Sequence, residues 1–191
     1  MKDKKTHYAQ PDNTVLLHTA AVSMTQKILL FWPAAAGGAA LDLWSKWAVF
    51  RWLSTEEGYR YSIIDGFLQF VLRENEGAAF SLFRGWTAFL VIISAGALVF
   101  VIGLFFFAKF TSKLVLFSMG CITAGIIGNL YDRIFNDGRV RDFIDVYVGP
   151  YHWPTFNAAD SLLCIGVGLL IIANFTSPAA QRHDLPQTEA H

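Results

Sequence analysis

Asp142 and Asp160 stand eighteen positions apart, one in Arg141-Asp142-Phe143-Ile144-Asp145 and the other at the head of the apolar run Ser161 to Phe175. A short returning loop between them would bring two carboxylates to the same membrane edge. A carboxylate at a hydrocarbon boundary is costly to ionise and is usually kept for ion handling or chemistry. Two aspartates close enough to share a proton acquire separated apparent pKa values, so one acts as a base while the other stays an acid. Neither role needs a metal or cofactor. Which member holds the proton at rest is a property of the pair. Plainer roles compete: a carboxylate satisfying the free donors of a helix N-terminus for Asp160, and a solvated loop charge for Asp142.

The elements that must position these acids follow from composition. The chain of 191 residues is 54% hydrophobic yet carries 15 basic and 15 acidic residues, and its mean hydropathy is +0.40. That balance is too apolar for a soluble domain and too charged to lie wholly in lipid. A hydrocarbon core takes roughly 20 helical residues, and four segments qualify: Ile28 to Phe50, Trp86 to Phe107, Leu114 to Tyr131 and Ala158 to Thr176. The expected architecture is an all-α membrane protein of four transmembrane helices with a small extracytoplasmic β-rich surface subdomain. Residues 1–27 and 177–191 read as polar tails around a membrane domain at 28–176, with surface regions at 51–85 and 132–157. Ala34 to Ala40 imitates a signal-peptide cleavage site, but the polar lead and the apolar run continuing to Phe50 argue against cleavage.

Four spans place both termini on one side. Lys and Arg divide evenly between the two faces; Lys27, Lys109 and Lys113, which flank the spans, tip the balance to cytoplasmic termini. The large connections then lie outside. Ser62 to Phe83 reads as half-buried strands on the membrane surface, able to serve as a lid. Asn136-Asp137-Gly138 is a hairpin signal, and Val140 to Val148 is apolar enough to pair as a strand before Gly149-Pro150 turns it.

Other chemistries fit less well. Zero formal net charge argues against a nucleic-acid partner. Cys121 and Cys164 sit in apolar runs, where a thiol behaves as a small hydrophobe. His7, His18, His183 and His191 lie in the tails, leaving His152 alone near the acids, so no zinc cluster assembles. A Ser-Lys peptidase from Ser81 or Ser161 with Lys46 lacks a base near either serine. The non-enzyme rival is a small proton-coupled transporter with Asp42, Asp132 and Asp160 as a relay.

Five motifs in order resemble lipoprotein signal peptidase, the type II signal peptidase of bacteria. They are Asp42 with Lys46, Asn75-Glu76-Gly77-Ala78-Ala79-Phe80, Gly128-Asn129-Leu130-Tyr131-Asp132-Arg133, Val140-Arg141-Asp142-Phe143 and Phe156-Asn157-Ala158-Ala159-Asp160-Ser161. The resemblance covers about Ile28 to Phe175 and implies an aspartyl endopeptidase of the bacterial inner membrane. It implies diacylglyceryl-modified prolipoproteins as substrates, cut just before the lipidated cysteine by Asp142 and Asp160 near the outer face. It further implies cytoplasmic termini, no cofactor or metal, and inhibition by cyclic peptides of the globomycin type. The protein is expected to work in membrane lipid as a monomer.

Supporting roles follow. Asn129 and Arg133 share a helical face and are expected to bind the substrate backbone or lipid head, with Asp132 pairing to a neighbouring cation. Asp42 and Lys46, at i,i+4 spacing, neutralise each other within the bundle. Asn157 is expected to hold Asp160 or a substrate carbonyl, or to serve as an ordinary N-cap. Asn75 is expected to bond an extended substrate approaching over Gly77. Asp145 is assigned to the surface.

Overall fold

A computed structural model describes residues 21–77, 83 and 85–176. Residues 1–20 of the N-terminal tail, the C-terminal tail 177–191, Ala78-Ala79-Phe80 of the second motif and Ser81 lie outside the described residues. Helix α1 (Met24–Leu53) begins four residues before the apolar run, because Ser23 and Gln26 form a reciprocal capping box there. It is followed by a 3-10 turn at Glu57–Tyr59, strands β1 (Arg60–Ile64) and β2 (Leu68–Asn75), helices α2 (Thr87–Phe107) and α3 (Lys113–Phe135), strands β3 (Val140–Val148) and β4 (Tyr151–His152), and helix α4 (Ala158–Phe175). All four α-helices are long and apolar enough to cross a membrane, and their outward faces carry large apolar side chains such as Leu41, Trp44, Ile93 and Ile171. Lipid is the solvent those faces require.

Helix α3 is the most buried of the four and packs against α1 and α4 through small residues. A Cβ at Gly125 would lie 2.5 Å from the Ala159 carbonyl oxygen, and one at Gly128 would run into the Asp42 carboxylate. The bundle is therefore drawn tight at the level where its buried charges sit. At the opposite end, Lys27 is buried and donates to the carbonyls of Phe105 (3.3 Å) and Ala108 (2.7 Å), closing the C-terminus of α2.

The strands form one antiparallel sheet in the order β1-β2-β3-β4. Phe143 of β3 joins Val49 and Leu53 of α1 in a core with Phe70 and Leu72 of β2, and the Phe70 and Phe143 rings meet edge to face at 5.5 Å. This contact seats the sheet on the end of α1. The other edge of β3 takes Phe156, whose carbonyl accepts from the amides of Phe143 (3.1 Å) and Ile144 (2.8 Å). β3 is thereby clasped on both sides just before α4 starts. Asn136-Asp137-Gly138 is a departure from the hairpin reading. With Asp137 at φ 48° and Gly138 at φ 82°, it ends α3 and leads into β3, a helix-to-strand turn using the same left-handed residues. A Cβ on Gly138 would also strike Thr87 at the start of α2.

Candidate active site

Three elements converge on the two acids. Register pairs Arg73 with Asp142 and Asn75 with Val140, so Asn75 is the diagonal neighbour of Asp142 across the ladder. Its Nδ2 donates to Asp142 Oδ2 at 3.2 Å, while its Oδ1 accepts from the Gly77 amide at 2.9 Å. Asn75, expected to bond an extended substrate, thus also bonds Asp142. On the other side, Asn157 caps α4: its Oδ1 accepts from the Asp160 amide (3.0 Å) and its own amide donates to Asp160 Oδ2 (3.2 Å). That leaves Asn157 Nδ2 to donate to Asp142 Oδ1 at 2.7 Å. One residue therefore caps the helix and links both acids, its backbone amide on Asp160 and its side chain on Asp142, so the N-cap and carboxylate-holding roles are joined in it.

Asn129 completes the arrangement from α3. Its Nδ2 donates to Asp160 Oδ1 at 2.8 Å, and its Oδ1 accepts from Lys46 Nζ (3.1 Å) and Asn157 Nδ2 (3.2 Å). With its amide engaged on both ends, Asn129 is a strut between the acids and the buried ammonium. Arg133 turns differently from its neighbour Asp132. Its Nη2 donates to the Gly77 carbonyl (2.9 Å) and its Nη1 to the Asn129 carbonyl (3.3 Å).

Below this layer lies a buried ionic network. Lys46 Nζ is 2.7 Å from Asp42 and 3.2 Å from Asp132, and all three side chains are fully buried. Asp132 also accepts from Arg141 Nη2 (2.6 Å) and from the Arg141 backbone amide (2.9 Å). Asp42 accepts from the Ala159 amide at 2.8 Å, in the first turn of α4. Two anions and two cations cancel, as a low-dielectric interior demands. The network also ties α1, α3, β3 and α4 together within one residue of Asp142 and Asp160. Lys46 is thereby committed, and Ser161 Oγ donates to the Asn157 carbonyl at 3.1 Å, so Ser161 and Lys46 form no pair; Ser81 lies outside the described residues. Asp42 and Asp132 hold cations in this network and reach Asp160 through Lys46 and the Asn129 amide, a chain that ends on the cleft-lining acids at one end of the helices.

Asp142 and Asp160 both line a cleft of about 1570 Å³, with Asn75, Asn129 and Arg133. Asp142 is only 2% exposed. Burial, with the neighbouring charge of Asp160 adding to it, pushes the Asp142 carboxyl from 3.8 up to about 7, against the opposing pull of Asn75, Asn157 and Lys46. Two acids with shared amide donors, one of them reluctant to ionise, resemble the general acid and base of a peptidase.

A family model described as "Signal peptidase (SPase) II" matches residues 34–176. The chain belongs to the signal peptidase II family. The lipoprotein signal peptidase of Rhodopirellula baltica (strain DSM 10527 / NCIMB 13988 / SH1) is 41% identical, over 76% of this chain and 71% of its own length. Two solved structures share the fold. One, described as "Bacterial membrane enzyme structure by the in meso method at 2.3 A resolution", is 28% identical and superposes with a TM-score of 0.70 over 90% of this chain and 98% of its own. The second, described in the same words at 1.9 A resolution, is 30% identical, with a TM-score of 0.66 over 83% and 98%. The protein is accordingly a membrane-bound peptidase, as the ordered motifs imply.

One feature of the peptidase departs from the sequence reading. Asp145 is not a surface acid: it is 4% exposed and accepts from Gln69 Nε2 (2.6 Å) and His152 Nδ1 (2.9 Å). The signal available in the sequence was the tight Gly149-Pro150 turn, which folds His152 back against Tyr147, two residues beyond Asp145. Arg141 was likewise the unnamed cation for Asp132.

Proposed function

We propose that this peptidase removes the signal peptide from diacylglyceryl-modified prolipoproteins, cutting before the lipidated cysteine through water activated by Asp142 and Asp160. The observation that carries this reading is the hydrogen-bonded fan of Asn75, Asn129 and Asn157 around the two carboxylates, in a cleft at one end of the helices. Asp142, pushed up to about 7, carries the shared proton at rest. Asp160, at the N-terminus of α4, takes a proton from water as the oxygen attacks the scissile carbonyl. Asp142 donates to the carbonyl oxygen; as the resulting diol collapses, Asp160 passes the proton taken from water to the departing amine and Asp142 recovers its own from the diol hydroxyl, so hydrolysis completes with no covalent intermediate. Arg133, with its guanidinium on the Gly77 carbonyl beside the acids, is a contact for the substrate backbone or lipid head.

The reaction takes place in the bacterial inner membrane with both termini cytoplasmic and the sheet outside. Lys27, Lys109 and Lys113 at the far end of the helices support that orientation. Catalysis belongs to residues 28–176, acting as a monomer, and globomycin-type cyclic peptides would compete for the same cleft. The test is cleavage of a diacylglyceryl-modified lipopeptide by purified protein in detergent, with no ion gradient, and mass analysis of the cut. Asp142→Asn and Asp160→Asn should leave folded, inactive proteins. Substantial turnover by either variant would refute the dyad.

A further inference from the structure

The dyad mechanism leaves one buried acid unused. Asp145 accepts two hydrogen bonds, from Gln69 and from His152 Nδ1. The His152 ring lies flat on Tyr147, with centroids 5.2 Å apart and planes at 12°, and Tyr147 is fixed in turn by the Gly66 amide donating to its hydroxyl at 3.2 Å. The imidazole is thus held at one ring nitrogen and across one face, yet its side chain is 50% exposed. Its Nε2 has no hydrogen-bond partner among the described residues. Carboxylate-oriented imidazoles with one free nitrogen are arrangements for holding something.

Gln69, Asp145 and His152 line the same cleft as Asp142 and Asp160. From Asp160 the helix α4 leads away along Leu163 and Ile165, apolar lining suited to a signal peptide in lipid. From Asp142 the strand β3 leads the other way, and three residues of strand span about 10 Å. An extended peptide covers that distance in about three residues. The polar end of the cleft therefore lies where the chain following the cut leaves the membrane.

We propose that His152, oriented by Asp145 and flanked by Gln69, is the subsite that binds the extended polypeptide on the carboxyl side of the scissile bond. This rests on the peptidase reading above. With Nδ1–H donated to Asp145, the lone pair on Nε2 accepts a backbone N–H of the substrate. Asp145 is a positioning residue, setting the tautomer and the ring angle.

The experiment compares two lipopeptides, one with six residues after the lipidated cysteine and one with a single residue. For His152→Ala, KM for the long peptide should rise about 3- to 10-fold, the loss of one hydrogen bond, with kcat unchanged and the short peptide unaffected. Asp145→Asn should show the same length-selective rise, and His152→Gln, whose Oε1 can supply an acceptor near the Nε2 position, should recover part of it. Equal losses on both peptides, or no loss on either, overturn the inference, and thermal unfolding of each variant identifies a general fold defect as the former case. Failure of the unsubstituted protein to cut either peptide overturns the peptidase reading and this inference with it.

Discussion

Replacing Asp142 with Asn should abolish cleavage and, at high pH, make the protein more stable. An aspartate whose folded pKa is raised from 3.8 to about 7 binds its proton more tightly folded than unfolded, so its charged form counts against the fold. Linkage puts that cost near zero below pH 3.8, lets it grow as pH rises toward about 7, and holds it constant above. At 1.36 kcal/mol per pKa unit, the full cost is about 4 kcal/mol at pH 8 and less than about 2 kcal/mol at pH 5. Asn carries no such cost, but its amide hydrogens meet a donor, since Asn75 and Asn157 both present Nδ2 to this side chain. That mismatch costs about 1–3 kcal/mol at every pH. The variant should therefore gain on the native protein by roughly 2–3 kcal/mol between pH 5 and pH 8, or about 4–12 °C in relative Tm for a domain of this size. The assay is thermal unfolding of both proteins in the same detergent across that pH range. A difference in Tm that stays flat would refute the raised carboxyl and the acid role drawn from it.

Three further outcomes are expected. Cleavage should fall as pH rises through about 7, where Asp142 loses its proton, and a rate that keeps climbing to pH 9 would contradict Asp142 as the acid. Lys46→Met leaves Asp42 and Asp132 buried without their shared cation, so unfolding should come about 3–5 kcal/mol earlier; an unchanged Tm would show that the network does not hold the helices. Gly128→Ala drives a methyl group into the Asp42 carboxylate and the side chain of Ala159, with an expected loss of about 1–3 kcal/mol and a drop in activity through the displaced start of α4, both measurable on the purified variant.

What could be read from the chain was what short stretches determine. Apolar runs near twenty residues require membrane helices because the hydrocarbon has no other partner for their backbone. The Asn157-x-x-Asp160 spacing is a capping box closed within one turn, and Asp42 with Lys46 is a pair closed over one turn. Val140 to Val148 reads as a strand from its own apolar run, and the structure makes it one across those nine residues, although its ladder partner β2 lies far back in the chain. Even the departure at Asn136-Asp137-Gly138 preserved the local fact, a left-handed turn; only the element that it joins differed.

Tertiary structure decided which polar atoms remain free, because each such atom chooses among partners far away in sequence. Asn129 bonds Lys46, 83 positions back, and Asp160, 31 positions on, contacts that no local pattern announces. The Ala159 amide finds Asp42 across 117 positions. Asp145 looks like a surface acid until β2 supplies Gln69 from 76 positions away and a two-residue strand returns His152 to it. Periodicity and capping act over a few residues and are written into neighbouring side chains. Desolvation and hydrogen-bond competition depend on how helices and sheet close on one another, and that closure turned a scatter of amides and acids into a site.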